Sequence, residues 1–475
     1  MSRLPSEILH IIFTDEAITQ SDLAQLARVQ REWYNAAIPL LWQTMHGLRG
    51  LLLLMPDDAL LLEHVPRTGT DDLVSRLNLR RQIHEDDLTP VLRKSHFVKT
   101  LIIERDPALD CHKAVIDALA RCLPPRCLFP NLRSLRLDIK DHAEYGSLST
   151  TFGTLLNLLL SHHMTSAALE ELTVTNRTLP CANDYLTYAP ILFTAIQQRY
   201  SSLEKIEFSI RERPPGGLLA IFALLPNLRS LDLHFNHRNR NCKLTSATSS
   251  TVPNGFSSLA HLSVHYLNAP SLAGAVRSWR FPRLQSFAAH QIMRASVDQV
   301  CDLLLALRER VAHGTLRSLH LRGTRRSRTG LPLRLHHILA LAAFPHLTHV
   351  TLDATLGVLL SDDEHAQIAG WWPQLEFLAF NTNFIVEPSS DRDNASATLG
   401  ALIIYARSCP RLRGLEIPLI IHSVPEIPDD LVSRPFQHPL EWLFVGNSII
   451  DHNCEEGTAG FWQVLFPKCR EGSET

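Results

Sequence analysis

Histidine recurs at fixed places around a short apolar pattern in the middle of the chain. The pattern is an apolar residue, two others, an apolar residue, one other and a third apolar residue, as in Leu228-Leu231-Leu233. In a strand, the residues that flank its last two apolar positions lie on the opposite, accessible face. Imidazole on that face can bind a metal ion, titrate near neutral pH or contact a protein. The polar residues that we single out at these positions are His234, His261, His265, His290, His320, Arg322 and His349.

Three interpretations of these histidines remain open. They form a solvated surface in a chain with 24 histidines, a pH-sensitive strip that binds a partner, or a metal site. His234, His265 and His290 hold equivalent positions in successive copies of the pattern, so we expect them to be near neighbours. We see no cysteine or carboxylate that completes the ligand set, and neighbours on a flat sheet converge poorly on one ion. We therefore assign no metal ligands and expect no cofactor.

Catalytic motifs are missing from the sequence. It contains no P-loop, no Gly-x-Gly-x-x-Gly and no Gly-x-Ser-x-Gly. Cys122 and Cys127 have no second pair at zinc-ribbon spacing. The pairs at 162–163 and 336–337 are His-His without a glutamate spaced for a zinc protease. We expect a protein that is not an enzyme.

Two loops that follow the apolar pattern are basic. One spans residues 237–240, and the other includes Arg322 and residues 325–328. A solvated loop is one interpretation. The other is a contact for an acidic or phosphorylated peptide, because guanidinium groups bind phosphate in a bidentate way.

The apolar pattern occurs twelve times between residues 98 and 445, with first positions 25 to 37 residues apart. In half of the copies a proline stands two residues before the first apolar position. Helix-like stretches lie between copies at 114–123, 191–200, 297–311, 336–344 and 397–409. One strand and one helix cannot bury an apolar face alone, so such units must stack. We predict an α/β fold: an irregular leucine-rich-repeat solenoid with parallel strands on the concave face and helices on the convex face.

Aromatic residues hold the accessible positions of the last copies. They are Phe377, Trp442 and Phe444. Exposed aromatic side chains on this face favour a binding pocket. The alternative is that the tail, with Phe461 and Phe466, folds back as a cap and covers them.

The first 42 residues predict three short helices. Pro5 suits the first turn, and Ile8, Leu9, Ile12 and Phe13 form an apolar stripe. Ser21 or Asp22 is the predicted cap of the second helix, and the third is expected to end at residues 38–39. Forty residues make an insecure core, so the segment should pack on a partner or on the rest of the chain.

This segment resembles the F-box family. The residues that carry the resemblance are Leu4, Pro5, Glu7, Ile8, Ile12, Phe13, Asp22, Leu23, Arg28, Val29, Arg31, Trp33, Ala37, Pro39 and Trp42. The match departs from the family at Gln30, where a Cys or Ser is usual. The resemblance implies docking to a Skp-type adaptor and, through it, to a cullin–RING ubiquitin ligase. The candidate adaptor contacts are Leu4, Pro5, Ile8, Ile12, Phe13, Leu23, Val29, Trp33, Pro39 and Trp42. The alternative is an internal three-helix corner.

We therefore predict an F-box at 1–45, a helical spacer with an exposed loop near 66–90 at 46–96, and the solenoid with a C-terminal cap at 97–475. A net charge of -2 argues against nucleic-acid and membrane-surface binding. The leucine run at 51–54 is too short to span a membrane. Nine scattered cysteines and no visible signal peptide favour the cytoplasm or nucleus.

The resemblance implies a substrate-recognition subunit of an SCF-type (Skp adaptor–cullin–F-box) E3 ligase that binds a target protein through the solenoid. The alternatives are a non-catalytic repeat scaffold and an F-box protein that acts outside ubiquitination.

Overall fold

The chain folds into two compact units. They comprise residues 1–212 with 225–228, and residues 213–224 with 229–475. The computed structural model describes residues 4–15, 17–66, 73–104, 111–122, 127–139, 154–155, 157–160, 168–176, 189–210, 218–235, 255–292, 295–323, 332–353, 357–380, 397–432, 438–446 and 448–471.

The first unit begins with three helices. They are α1 (Ser6–Phe13), α2 (Gln20–Leu26) and α3 (Arg31–Leu41). Thr19 caps α2 in a reciprocal pair with Asp22, so the predicted cap at Ser21 or Asp22 is wrong by two or three residues. Helix α3 continues through Pro39, so the predicted end at 38–39 is also wrong.

A parallel sheet follows these helices almost directly. Its strands, in spatial order, are β1 (Thr44–His46), β4 (Thr100–Ile103), β5 (Ser134–Ile139), β6 (Glu171–Asn176) and β7 (Lys205–Ile210). The carbonyl of Gln43 accepts hydrogen bonds from the backbone N–H groups of Lys99 and Thr100, each at 2.9 Å. The sheet therefore begins at β1, inside the segment predicted as F-box and spacer. The domain boundaries at 45 and 96 stay predictions.

The spacer contains a hairpin that the sequence analysis did not predict. Strands β2 (Leu60–Pro66) and β3 (Leu73–Leu79) pair antiparallel. The helices around them are α4 (Arg49–Leu52), a 3-10 turn (Glu85–Leu88) and α5 (Thr89–Ser95). The prediction of short helices is thus wrong at 60–66, whereas a helix is found at 49–52. The predicted exposed loop near 66–90 is wrong at 73–79, which form β3, and residues 67–72 lie outside the described part. Lys94 donates to the Tyr34 hydroxyl at 2.9 Å, which joins α5 to α3.

The second unit carries the other parallel strands. In spatial order they are β8 (Ser230–Phe235), β9 (His261–His265), β10 (Ser286–Ile292), β11 (Ser318–Gly323), β12 (His349–Asp353), β13 (Phe377–Phe380), β14 (Gly414–Glu416), β16 (Trp442–Phe444) and β18 (Arg470–Glu471). A short separate pair joins β15 (Ile420–Ile421) to β17 (Ile449–Ile450).

Helices alternate with the repeat strands. The longer ones are Lys113–Cys122, Ala189–Arg199, Ala269–Ser278, Val297–Arg310, Asp362–Trp371, Leu399–Ser408 and Glu455–Leu465. Shorter ones are Leu218–Ala223, Leu335–Ile338, Asp429–Val432 and the 3-10 turns Leu339–Ala343 and His452–Cys454. Ser296 shows why such a helix begins where it does, because its hydroxyl and the Gln299 side chain cap each other's backbone N–H groups.

All twelve predicted copies coincide with strands. Their apolar positions are at most 8% exposed, except for the half-buried Val445. Within each unit the second positions align across neighbouring strands, as Leu262, Phe287 and Leu319 do. Burial of this apolar ladder is the main favourable contribution to the fold. The predicted α/β fold, N-terminal helices followed by an irregular leucine-rich-repeat solenoid, is confirmed. No helix in the described part of the chain is long and apolar enough to cross a membrane.

Candidate functional site

The apolar stripe of α1 divides into an inner and an outer face. Leu9 and Phe13 point inward and are 2% and 3% exposed. The ring of Phe13 packs edge-on against Trp33, with centroids 5.7 Å apart. Leu23 of α2, Ala27 just after it and Ala37 of α3 complete this small core. The three helices therefore have an interior of their own.

The outer face of the same helix is an exposed apolar patch. It comprises Leu4, which precedes the helix, and Ile8, Ile11 and Ile12 on it, which are 47%, 42%, 65% and 42% exposed. We call these four residues the docking patch. Ile11 is absent from the predicted contacts, although its spacing of i+3 from Ile8 places both on one helix face.

The remaining predicted adaptor contacts lie in three different environments. Pro5 and Val29 are exposed, whereas Trp33, Pro39 and Trp42 are half-buried. Phe13 and Leu23 are buried, at 3% and 6% exposed. Their prediction as adaptor contacts is therefore wrong in this structure, since they hold the helices together from inside.

The predicted histidine column exists on the second unit. His234 pairs in register with His265, and His265 with His290, on strands β8, β9 and β10. The rings of His234 and His265 stack with centroids 3.8 Å apart, and that of His290 lies 4.6 Å from His265. Burial, followed by the charge of His265, lowers the pKa of His290 to about 4.

A carboxylate completes this column, contrary to the sequence-based expectation. The Oδ1 atom of Asp232 lies 3.3 Å from Nε2 of His234 and 3.4 Å from Nε2 of His265. Burial alone raises the pKa of Asp232, but the two imidazoles outweigh it and hold the pKa below its ordinary value. The sequence signal was present, because Asp232 stands two residues before His234 and so shares its face.

His320 is held by neighbouring hydroxyl groups. Its Nε2 is 2.8 Å from the Ser318 hydroxyl, and its Nδ1 is 3.0 Å from the Thr351 hydroxyl. The pKa of His320 is lowered mainly by burial, and also by the charges of Arg322 and His349. The two hydroxyl groups fix the orientation of the His320 ring. His261 and Arg322 are exposed, so they stay candidates for contact with a partner.

The predicted aromatic residues stack into a continuous surface. Phe377 and Trp442 are parallel with centroids 5.9 Å apart, and Trp442 and Phe444 also lie 5.9 Å apart. The ring of His349 extends the stack, 6.4 Å from Phe377. We call these four residues the aromatic shelf. All of them are half-buried.

Gly414 makes the shelf continuous. It sits on β14, between the strands that carry Phe377 and Trp442. A Cβ at this position would lie 2.5 Å from Cδ2 of Phe377 and 3.5 Å from Cε3 of Trp442. Only a residue without a side chain lets the two rings stack above it.

The tail is packed into the core of the second unit. Phe461 and Phe466 are 3% and 1% exposed, and Phe466 meets the His438 ring edge-on at 5.3 Å. Strand β18 adds to the sheet beside β16. The shelf keeps part of its surface accessible despite this cap. The predicted basic loops at 237–240 and 325–328 lie outside the described residues.

Known proteins resemble parts of this chain. The F-box-like family matches residues 1–47. No curated protein matches. A chain of the crystal structure of the Rad7 and Elc1 complex in yeast shares 16% identity at a TM-score of 0.35, covering 82% of this chain and 92% of that chain. An internalin (inlF) from Listeria monocytogenes shares 12% identity at a TM-score of 0.37, covering 90% and 94%.

Both TM-scores are low, so neither likeness supports a conclusion about fold or function. The repeat fold is shown by the strands and helices described above. The chain thus carries an F-box-like domain at its N-terminus, followed by leucine-rich repeats.

Proposed function

We propose that this chain is the substrate-recognition subunit of an SCF-type E3 ubiquitin ligase. The docking patch binds a Skp-type adaptor, and the repeat strands bind a target protein. The single observation that carries this proposal is the docking patch on helices whose own core is already complete. Apolar side chains clustered on a surface, with no role in the interior, favour a protein interface.

The size of the patch sets the energy that it can contribute. Full burial of a leucine or isoleucine side chain contributes about 1.5–3 kcal/mol. Since Leu4, Ile8 and Ile12 are 47%, 42% and 42% exposed, covering the remainder contributes about 1 kcal/mol for each. Together the three side chains contribute about 3 kcal/mol, which is about 100-fold in Kd.

In this proposal the chain contributes proximity and does no chemistry. A target held beside a ubiquitin-charged enzyme reacts as in a unimolecular step, which removes much of the entropic barrier. The short connection from α3 to β1 supports such a role, because Trp42 and Gln43 alone separate the two elements. We further propose that the chain works in the cytoplasm or nucleus and that the adaptor links it to a cullin–RING complex.

The test is adaptor binding by a surface variant. The triple variant Leu4→Ala, Ile8→Ala and Ile12→Ala truncates three of the four side chains of the docking patch and leaves Ile11, as well as Leu9 and Phe13 in the core. The matched control is Val464→Ala, another exposed apolar residue (51%) that lies on the C-terminal helix. Calorimetry against a purified Skp-type adaptor should show Kd raised about 100-fold for the triple variant and unchanged for the control. Circular dichroism should be the same for all three proteins.

The alternatives predict different results. A repeat scaffold whose helices only pack internally binds no adaptor in any variant. An F-box protein outside ubiquitination binds the adaptor, but proximity labelling finds no neighbour that accumulates when the proteasome is inhibited. Equal adaptor affinity in wild type and triple variant contradicts the docking patch.

A further inference from the structure

Three potential metal ligands converge on one point of the second unit. Asp232 and His234 share a face of β8, and His265 stands directly opposite His234 on β9. One ligand atom from each of the three lies within 4.8 Å of the other two. Backbone pairing fixes all three side chains, so the cluster does not depend on a loop.

Two of the three distances within the cluster match those between ligands of a tetrahedral ion. Nitrogen and oxygen ligands lie about 2.0–2.2 Å from zinc, so two ligands at a tetrahedral angle are about 3.4 Å apart. The Oδ1 atom of Asp232 lies 3.3 and 3.4 Å from the two Nε2 atoms. The His234 and His265 rings stack, and the Nε2 atoms of both lie next to the same Asp232 oxygen.

The carboxylate oxygen at the centre of the cluster lacks a good hydrogen bond. Among the described residues, Asp232 Oδ1 is shielded from solvent and accepts no hydrogen bond of proper angle. The two Nε2 atoms are near enough for an ion pair, but they do not meet it in hydrogen-bond geometry. A cation between the three groups would give this shielded anionic oxygen a direct ligand contact.

We propose that Asp232, His234 and His265 bind a divalent transition-metal ion of the zinc class. Imidazole ligands favour such ions, whereas magnesium and calcium prefer oxygen ligands throughout. Three protein ligands leave a fourth position open. The three side chains are 34%, 31% and 20% exposed, so water or a donor atom of a bound protein has access to that position. The site is independent of the docking patch.

Ser263 and His290 border the site. The Ser263 hydroxyl lies 3.1 Å from Nε2 of His265 and satisfies that nitrogen when no ion is bound. The ion replaces this hydrogen bond with a stronger contact to the same nitrogen. His290 packs against the far side of His265 and orients its ring.

Zinc stoichiometry of the full chain tests the proposal. Equilibrium dialysis against Zn²⁺ compares wild type with Asp232→Asn and His265→Asn, and the matched control is His261→Ala, an exposed histidine on the same strand. The other histidines and cysteines bind zinc in all four proteins, so the difference is the readout. We expect each cluster variant to lose one equivalent and the control to lose none. Equal stoichiometry and affinity in all four proteins overturn the proposal.

A second measurement needs no variant and therefore covers the case of a misfolded one. Diethyl pyrocarbonate modifies accessible histidines, and peptide mapping reads each one separately. Zn²⁺ should protect His234 and His265 together, at least several-fold more than His261. Unchanged modification of both residues in the presence of Zn²⁺ overturns the site, whatever the adaptor experiment shows.

Discussion

A buried histidine should make the stability of the second unit depend on pH. His365 is 2% exposed on the helix Asp362–Trp371. Its Nδ1 atom lies 2.8 Å from the hydroxyl of Tyr405, on the helix Leu399–Ser408. The rings of Tyr405 and Phe380 lie 5.5 and 6.1 Å away. Burial lowers the pKa of His365 to about 3 and raises the pKa of Tyr405 well above its ordinary value.

The sign and size of the effect follow from proton linkage. In the unfolded chain the imidazole has its ordinary pKa of about 6.5. Between pH 6.5 and the native value of about 3, the unfolded state binds a proton that the native state does not. The contribution of His365 is therefore complete above pH 6.5 and declines by about 1.4 kcal/mol for each pH unit below it. From pH 7.5 to pH 5.0 the loss is about 2 kcal/mol.

The assay compares wild type with His365→Gln. Glutamine can still hydrogen-bond the Tyr405 hydroxyl but does not titrate. Urea unfolding of both proteins at pH 7.5 and pH 5.0 gives two changes in the free energy of unfolding. We expect wild type to lose about 2 kcal/mol more than the variant on acidification. An equal loss in both proteins refutes the reasoning, because the acid sensitivity then comes from other groups.

Two further predictions concern packing. Gly414→Ala should destabilise the chain by about 1–3 kcal/mol, because its Cβ overlaps the Phe377 ring. Gly460→Ala lies in a helix with open space around the new Cβ, so it should stabilise the chain by about 0.5–1 kcal/mol. Urea unfolding measures both variants, and equal midpoints for the two variants contradict this pair of predictions. Phe13→Ala should cost the F-box about 3–5 kcal/mol, whereas Ile12→Ala, on the outer face, should change stability by less than about 0.5 kcal/mol. Hydrogen exchange of α1 measures both, and similar protection in the two variants is the contrary result.

The repeat fold was predictable because one pattern recurs under one constraint. Each copy places its apolar residues in the same shared core, so pattern and burial agree twelve times. The hairpin had no such support. Residues 60–62 are three leucines in a row, a run that fits a helix turn and a strand equally well. Strand β1 is even harder to predict from the sequence, since Thr44 and His46 follow no apolar pattern. Only pairing with β4 makes them a strand.

The sequence predicted which face of a helix or strand carries each candidate site, but not which atoms meet there. The stripe of α1 contains Ile8 and Leu9 side by side, and only the positions of α2 and α3 decide which of them is buried. Asp232 was on the predicted surface. Its approach to two imidazoles depends on side-chain rotation and strand spacing, which a single sequence does not encode in any local pattern.

The junction between helices and sheet bears most directly on the proposed function. A flexible linker after the F-box would let a bound target move relative to the adaptor and would lower its effective concentration. Here α3 ends at Leu41 and β1 begins at Thr44. The carbonyl of Gln43 already takes part in the sheet through two hydrogen bonds. Within the first unit, the three helices are therefore joined to the first repeat strands by a two-residue connection that is itself hydrogen-bonded to the sheet. In the proposed subunit, this junction therefore fixes the three N-terminal helices in place relative to the first repeat strands.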